Sequence, residues 1–246
     1  MKQKPRVAVF DFADCEGCEL EIADLEEEIL DLIDIVDIVS FREVMKEQSD
    51  TYDIAIVEGS IMRPMDERRL RTIRSRAKIL IALGACATMG GVNKIRNQWI
   101  PDEVKKDVYG TANLKGNELF DVFQTKALNE VVPVDYYIYG CPIDRDEFKS
   151  VITAVALGKK PEIPRYPVCV ECKKNENICQ FELGAFCLGP ITRAGCKAIC
   201  PTNNSVCEGC RGLIKKAEAE CVKEVLERYK LSYEDIRRRC AMYNYG

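Results

Sequence analysis

The chain has 246 residues, a hydrophobic content of 47% and a formal net charge of −4. That length allows one large domain or one domain with a smaller appendage, and the apolar content is ample for a core. The mild negative charge argues against nucleic acid as the main partner. No apolar run approaches the roughly 20 residues that a membrane-spanning helix needs, so no direct membrane span is expected.

The cysteine and histidine contents narrow the chemistry further. The chain contains fourteen cysteines and no histidine, so any metal site must be rich in thiolates and a Ser–His–Asp triad is excluded. Residues 1–6 lead into a strand pattern without an apolar export signal. Many cysteines without such a signal predict a reducing, cytoplasmic compartment, where thiols bind metals or carry out redox chemistry rather than forming the disulfides of a secreted scaffold.

Strand and helix signals alternate along the first 160 residues. Short apolar runs predict strands, and apolar residues at helical spacing predict helices. Strands that alternate with helices predict a parallel sheet covered on both faces, in a flavodoxin-like arrangement of the α/β class. Residues 93–126 are less regular and are predicted to be a surface excursion. The predicted strands are 7–12, 36–40, 53–58, 78–83 and 134–139, and the predicted helices are 19–33, 66–77 and 146–157.

Four cysteines lie just after predicted strands. Cys15 and Cys18 follow the first strand, Cys86 follows strand 78–83, and Cys141 follows strand 134–139. Open α/β sheets gather their ligands at the carboxyl ends of their strands, so these four thiols are expected to converge. Four thiolates are what a cubane iron–sulfur cluster needs. The spacing therefore predicts a metal site built on the sheet.

A change of composition near residue 160 marks a second unit. Prolines at positions 161, 164 and 167 indicate a linker. We divide the chain into a flavodoxin-like domain, residues 1–160, and a small irregular ferredoxin-like domain with terminal helices, residues 161–246. The second unit has little periodicity, so metal ligation must supply much of its folding free energy.

Eight more cysteines crowd the 42 positions from 169 to 210. We predict that they ligate metal, whereas Cys221 and Cys240, in the amphipathic stretch 213–242, are interpreted as ordinary packed or surface cysteines without metal partners. The stretch itself is predicted to form one or two covering helices. The eight candidate ligands are Cys169, Cys172, Cys179, Cys187, Cys196, Cys200, Cys207 and Cys210.

Cysteine spacing also bears on the choice of metal. The Cys-x2-Cys pairs at both ends of the crowded stretch could hold two structural zinc ions, in a non-enzymatic scaffold. Three features favour iron–sulfur clusters: the additional long-range set of four cysteines, the spacers of six to eight residues, and the Cys-Pro pairs at Cys141 and Cys200, which are typical of ferredoxin motifs. Three sets of four thiolates would hold three [4Fe-4S] clusters, and three clusters in one chain would form an electron-transfer path.

Several of these motifs resemble those of nickel–iron hydrogenase small subunits. The resemblance covers nearly the whole chain up to about Gly212, and within the family it is strongest to the cytoplasmic, multi-subunit group with sulfhydrogenase-type delta subunits. Two stretches, 166–172 (YPVCVEC) and 189–196 (GPITRAGC), carry that closer match. The wider family motifs are CEGC at 15–18, VEGS at 57–60, GACA at 84–87 with Gly90 and Gly91, YGCP at 139–142, CLGPIT at 187–192 and CEGC at 207–210.

The resemblance implies a division of the twelve ligands among three clusters. The proximal cluster would take Cys15, Cys18, Cys86 and Cys141. By the family's order, the distal cluster would take Cys169, Cys172, Cys179 and Cys187, and the medial cluster Cys196, Cys200, Cys207 and Cys210. Exchange of one ligand between the medial and distal clusters, as in ferredoxins, stays open.

The resemblance further implies the partners. The nickel–iron centre would sit on a separate large subunit, and electrons from H2 oxidation would pass through the three clusters to another iron–sulfur or flavin subunit. The chain contains no GxGxxG fingerprint and no P-loop, so a nucleotide cofactor is expected elsewhere in the complex. Glu58 lies where family members carry an acidic residue. Because four cysteines are already present, we interpret it as a carboxylate behind the cluster or a structural hydrogen-bond acceptor rather than as a ligand.

A related family offers a rival interpretation. The 20-kDa-type iron–sulfur subunit of quinone-reducing complexes shares the flavodoxin-like fold and one cluster. Its members have two adjacent cysteines where this chain has Cys15 and Cys18 separated by two residues, and they lack the eight later cysteines. The sequence therefore favours the hydrogenase interpretation.

Overall fold

Five parallel strands form one sheet in the computed structural model, which describes residues 3–114, 118–214, 227–230 and 232–243. The strand order is β2-β1-β3-β4-β5, which is the order of flavodoxin-like sheets. The α/β class and the flavodoxin-like arrangement predicted from the sequence are confirmed. The strands are β1 (Arg6–Phe10), β2 (Asp37–Ser40), β3 (Ile54–Glu58), β4 (Ile79–Leu83) and β5 (Tyr136–Ile138).

Nine α-helices have both ends within the described ranges, residues 227–229 are helical as well, and three short 3-10 turns lie between β4 and β5. None of these helices is both long and apolar enough to cross a bilayer. The helices are α1 (Gly17–Ala23), α2 (Glu28–Ile33), α3 (Pro64–Arg76), α4 (Gly84–Met89), α5 (Pro101–Tyr109), α6 (Arg145–Ala156), α7 (Val168–Lys174), α8 (Ile199–Thr202) and α9 (Tyr233–Cys240), and the 3-10 turns are Val92–Gln98, Glu118–Phe120 and Leu128–Glu130.

The central strand β3 is buried along its whole length. Successive side chains of a strand point to opposite faces, so β3 contributes to two separate cores. Ile54 and Ile56 pack in the core that includes α1, α2 and α6. Ala55 and Val57 pack in the other core, with Leu70 and other residues of α3. Helices on both faces explain why the strand sequences are continuous apolar runs rather than alternating ones.

The predicted helix 19–33 is wrong in its continuity, because the chain forms two helices, α1 and α2. The break passes through Glu26, which has a φ of +50°. Bending there buries Leu25 in the same core as Ile22. The acidic end of α1 is also unfavourable for a longer helix, since negative charge repels the helix C-terminus. Arg145 of α6 donates to the carbonyl of Asp24 at 2.9 Å and so satisfies that helix end.

The surface excursion predicted for residues 93–126 contains more regular structure than expected. It includes the 3-10 turn Val92–Gln98 and helix α5. Pro101 begins α5, and Gly110, with a φ of +72°, ends it. These are common helix start and stop signals that the irregular hydrophobic pattern obscured. Helix α3 likewise begins two residues earlier than predicted, at Pro64.

Residues 165–214, the cysteine-rich segment, contain two short helices and little other regular structure. Bridges join Pro167 to Arg193 and Thr192 to Leu213. The small core of this segment includes Val168, Phe181 and Ala198 together with the buried thiols of Cys187 and Cys207. Of the predicted covering helices in 213–242, the structure describes α9. Cys221, interpreted from the sequence as a packed or surface cysteine, lies outside the described residues.

Candidate iron–sulfur sites

The four thiols predicted to converge lie at the carboxyl edge of the sheet. Cys15 is in the loop after β1, Cys18 is in the first turn of α1, Cys86 is in the first turn of α4, and Cys141 follows β5. The backbone N–H of Ala85 donates to the carbonyl of Gly140 at 2.7 Å. That bond ties the turn that carries Cys86 to the loop that carries Cys141.

Charge interactions show that these four thiols are close to one another. Burial, followed by the charges of Cys141 and Glu58, raises the pKa of Cys86 to about 12, and Cys15 contributes in the same direction. Burial also raises the pKa of Cys18, which interacts with Cys141 as well. The structure therefore brings together all four members of the predicted proximal set.

In this environment a thiolate is unfavourable unless a positive charge compensates its negative charge. Burial and mutual repulsion oppose ionisation, yet a metal site needs the thiolates. Iron bound to them would supply the opposing positive charge. Four mutually close thiols on turns from three different strands, with Cys18 buried and Cys15 exposed, therefore fit an all-cysteine iron–sulfur cluster.

Two glycines allow the backbone to approach these thiols closely. Gly84 has a φ of +78°, and a Cβ atom added there would overlap the Cys18 Sγ. A Cβ added at Gly91 would lie 3.1 Å from the Cys86 Sγ and 3.0 Å from the Cys86 Cα. A side chain at either position would therefore enter the space around the thiols.

We expect Gly84→Ala to cost the chain about four irons, the content of one cubane. Iron per chain measures the loss, and the signals of the other clusters should persist. Gly110→Ala is the matched control, because Gly110 also has a positive φ, +72°, but a Cβ there meets nothing within 4 Å. Full iron content in Gly84→Ala would contradict the close approach.

Glu58 lies beneath the proximal thiols and is almost completely buried. Its carboxylate accepts the backbone N–H of Cys18 at 3.2 Å and that of Glu19 at 2.8 Å. These are free N–H groups of the first turn of α1, so Glu58 fixes the turn that carries Cys18. The interpretation of Glu58 as a structural acceptor agrees with these contacts.

Two further carboxyl groups near the thiols were missed in the sequence. The many acidic residues around Glu19 predict a solvent-exposed helix face, yet the Glu19 side chain is only 1% exposed. Burial, with the charge of Glu58, raises its pKa to about 8. Burial likewise raises the pKa of Asp14 to about 6. Glu19 is adjacent to Cys18 in the sequence, but only the fold shows that the Glu19 side chain is buried.

The second set of thiols gathers around helix α7. Burial raises the pKa of Cys169 to about 12, and the largest charge contributions come from Cys187, Cys172 and Cys179. A Cβ added at Gly189 would lie 3.4 Å from both the Cys169 Sγ and the Cys187 Sγ. The structure therefore brings the four cysteines of the predicted distal set together.

The third set lines a cavity of about 580 Å³ between the sheet and the cysteine-rich segment. Burial raises the pKa of Cys210 to about 12, and the charges of Cys196, Cys141 and Cys200 act in the same direction. The cavity is lined by Cys196, Cys200, Cys207 and Cys210 of the predicted medial set, together with Cys141 of the proximal set.

Two contacts connect the three sets in a definite order. A backbone hydrogen bond from Cys141 reaches Cys210 and lowers its pKa, so the proximal and medial sets are adjacent. The backbone N–H of Cys207 donates to the Cys187 Sγ at 3.2 Å, so the medial and distal sets are adjacent too. The thiols therefore run proximal, medial, distal through the molecule.

The remaining described cysteine, Cys240, is buried against Leu188, Ile191 and Ile236. Of the two interpretations of Cys240, a packed or a surface cysteine, the structure shows the packed one. Across the ranges described, no group of three or more Asp, Glu and Cys side chains converges to hold a single metal ion. In a cubane the thiolates bind separate irons rather than one shared ion.

Comparison with known proteins decides the family. The family model described as "NADH ubiquinone oxidoreductase, 20 Kd subunit" matches residues 15–155. The delta subunit of sulfhydrogenase 2 from Pyrococcus furiosus is 36% identical over 236 residues, covering 95% of this chain and 97% of the relative. The chain belongs to the hydrogenase small-subunit family. The resemblance stated from the motifs is thereby confirmed.

Two other similarities extend the comparison. The delta subunit of an NAD-reducing hydrogenase from Cupriavidus necator is 30% identical over 173 residues, covering 65% of this small subunit and 83% of the relative. The crystal structure of an NAD+-reducing [NiFe]-hydrogenase in the H2-reduced state contains a chain with 29% identity and a TM-score of 0.58, covering 66% of this small subunit and 96% of that chain.

The extent of the matches separates the hydrogenase interpretation from its rival. The family model matches residues 15–155, which include strands β2 to β5 and the four proximal cysteines and end before the cysteine-rich segment. The Pyrococcus furiosus relative spans 95% of this small subunit and therefore extends through the cysteine-rich segment. The match to the hydrogenase relative therefore includes the part of the chain that holds the eight later cysteines, whereas the match to the family model does not.

Proposed function

We propose that this chain is the electron-transfer subunit of a nickel–iron hydrogenase, with three [4Fe-4S] clusters bound by the proximal, medial and distal sets. The observation that carries the proposal is the grouping of twelve thiols into three sets connected in series, through Cys141 and Cys210 and then through Cys207 and Cys187. Iron–sulfur clusters supply one-electron chemistry, and adjacent clusters can pass charge along such a series.

The residues of the chain have separate tasks in this proposal. The thiolates of each set hold their cluster, and Glu58 keeps the turn of Cys18 in place through two backbone N–H groups. The backbone N–H of Cys207 donates to the Cys187 sulfur. Hydrogen bonds to ligand sulfurs favour the more negative, reduced state of a cluster and so adjust its potential.

Two partners follow from the proposal. A separate large subunit would carry the nickel–iron centre and exchange electrons at the proximal set. An iron–sulfur or flavin subunit would exchange them at the distal set. The Pyrococcus furiosus sulfhydrogenase subunit and the NAD+-reducing [NiFe]-hydrogenase chain support this assembly, because their names describe hydrogenases with several components or a further electron acceptor.

The proposal also includes the organisation of the chain and its location. We place a domain boundary near residue 160, after α6 ends at Ala156 and before α7 begins at Val168. The two domains share the cavity that both Cys141 and the medial thiols line. We place the protein in the cytoplasm, where a reducing environment preserves free thiols for metal binding.

The function is tested by anaerobic isolation of the native complex through a tag on this chain. A nickel-containing large subunit should co-purify, and exposure of the complex to H2 should reduce the clusters, as followed by electron paramagnetic resonance. Dithionite serves as the control reductant. Clusters that dithionite reduces but H2 does not, in a preparation without nickel, would overturn the hydrogenase assignment.

A further inference from the structure

A buried ion pair lies between the proximal and medial thiols. The side chain of Arg211, adjacent in sequence to Cys210, is 1% exposed, and that of Glu147 on α6 is 7% exposed. One terminal nitrogen of the guanidinium donates to both carboxylate oxygens of Glu147, each at 2.7 Å. Because little water screens a buried charge, its effect reaches further than that of a surface charge.

The guanidinium also binds the backbone of both flanking segments. Its Nε donates to the carbonyl of Ala194 at 2.8 Å, and its other terminal nitrogen donates to the carbonyl of Tyr139 at 2.5 Å. Ala194 lies two residues before the medial thiol Cys196, and Tyr139 lies two residues before the proximal thiol Cys141. Arg211 thus joins the loop of the medial thiol Cys196 to the loop of the proximal thiol Cys141.

Gly195 lets this pair approach the medial loop. Its φ is +112°, and a Cβ added there would overlap the guanidinium of Arg211 and lie 3.2 Å from a carboxylate oxygen of Glu147. Because Gly195 has no side chain, the positive charge of Arg211 can lie next to this residue, which immediately precedes Cys196.

The two charges of the pair do not act equally on the medial thiols. A Cβ at Gly195 would lie against the guanidinium and farther, at 3.2 Å, from the Glu147 carboxylate oxygen, and the Arg211 Nε donates to the carbonyl of Ala194 at 2.8 Å. The guanidinium therefore lies on the medial side of the pair, with the carboxylate on α6 behind it.

We propose that Arg211 sets the reduction potential of the medial cluster, raising it relative to the potential that the same four thiolates would give without the ion pair. A fixed positive charge favours the more negative, reduced state of a nearby cluster. Glu147 holds the guanidinium in place and limits the size of the effect. This inference rests on the proposed function, since it requires a cluster on the medial thiols.

The test is a potentiometric titration of the three clusters in the intact complex, followed by electron paramagnetic resonance. In Arg211→Gln/Glu147→Gln, which retains the shape of the pair without its charges, we expect the medial reduced-to-oxidised ratio at the wild-type midpoint to fall about tenfold, equivalent to about 59 mV for a one-electron couple. Glu147→Gln alone leaves the guanidinium uncompensated and should move the medial midpoint in the opposite direction. The distal midpoint should stay unchanged in both.

Arg76→Gln/Asp50→Asn is the matched control, since it removes an exposed pair whose nitrogen and oxygen atoms are 2.5 Å apart. It should shift no midpoint. A medial midpoint that is unchanged in both test variants at full iron content would overturn the role of Arg211. If the double variant loses iron, the single variant Glu147→Gln decides the question. An upward shift of the medial midpoint would support the role of Arg211, and a downward shift or no shift would contradict it. Wild-type complex without a medial cluster would instead overturn the proposed function itself.

Discussion

Replacement of Cys86 by serine is expected to abolish H2-driven reduction of the clusters in the complex. The Cys86 thiol is half-buried within the proximal set, where it interacts with Cys141, Glu58 and Cys15. A weakened proximal site interrupts the path at its first step, so the medial and distal clusters lose their supply of electrons. Electron paramagnetic resonance under H2 measures the effect, and about four irons should be lost if the cluster fails to assemble.

Cys240→Ser provides the matched control for that experiment. Cys240 is buried, but it packs among apolar side chains away from the other thiols. Its replacement should leave the iron content and the reduction by H2 unchanged. If Cys86→Ser allowed normal reduction by H2, Cys86 would not lie on the electron path, and the proximal set would have to be reassigned.

Removal of iron under anaerobic, reducing conditions is expected to unfold the cysteine-rich segment while the sheet persists. The segment is about 50 residues long, and so small an apolar core supplies no more than about 3–5 kcal/mol. Natural domains of this size add a structural metal or disulfides, so we expect the segment to depend on its iron for folding. Part of its core consists of the thiols themselves, including Cys187 and Cys207.

Hydrogen exchange of the isolated chain measures this prediction residue by residue. Amides of α7 and of the loop before Cys207 should lose protection after iron is removed, whereas amides of β3 and β4 should keep theirs. The chain with its iron retained, carried through the same buffers, is the control. Unchanged protection in the cysteine-rich segment of the iron-free chain would contradict the role of the clusters in its folding.

The sheet and the proximal site could be predicted because local signals agree with the fold. Apolar runs in the sequence mark the strands, and Cys15, Cys86 and Cys141 follow the runs that become β1, β4 and β5. Parallel strands present their carboxyl ends at one edge, so topology alone implies that the thiols converge. The structure places them in that way.

Other features depend on contacts that a linear pattern does not contain. The break between α1 and α2 follows from the burial of Leu25, and the burial of Glu19 follows from the position of α1 above the proximal thiols. The pairing of Arg211 with Glu147 joins residues 64 positions apart, with no motif at either one. Only the folded chain shows these relations.

The central claim is that twelve thiolates of this chain hold three cubanes. Analysis of iron, acid-labile sulfide and zinc in anaerobically isolated protein tests it most directly. About twelve irons and about twelve sulfides per chain, with no stoichiometric zinc, are the predicted result. About four irons per chain would indicate the proximal cluster alone. Zinc without sulfide would indicate a structural scaffold rather than an electron path. Either result would contradict the account.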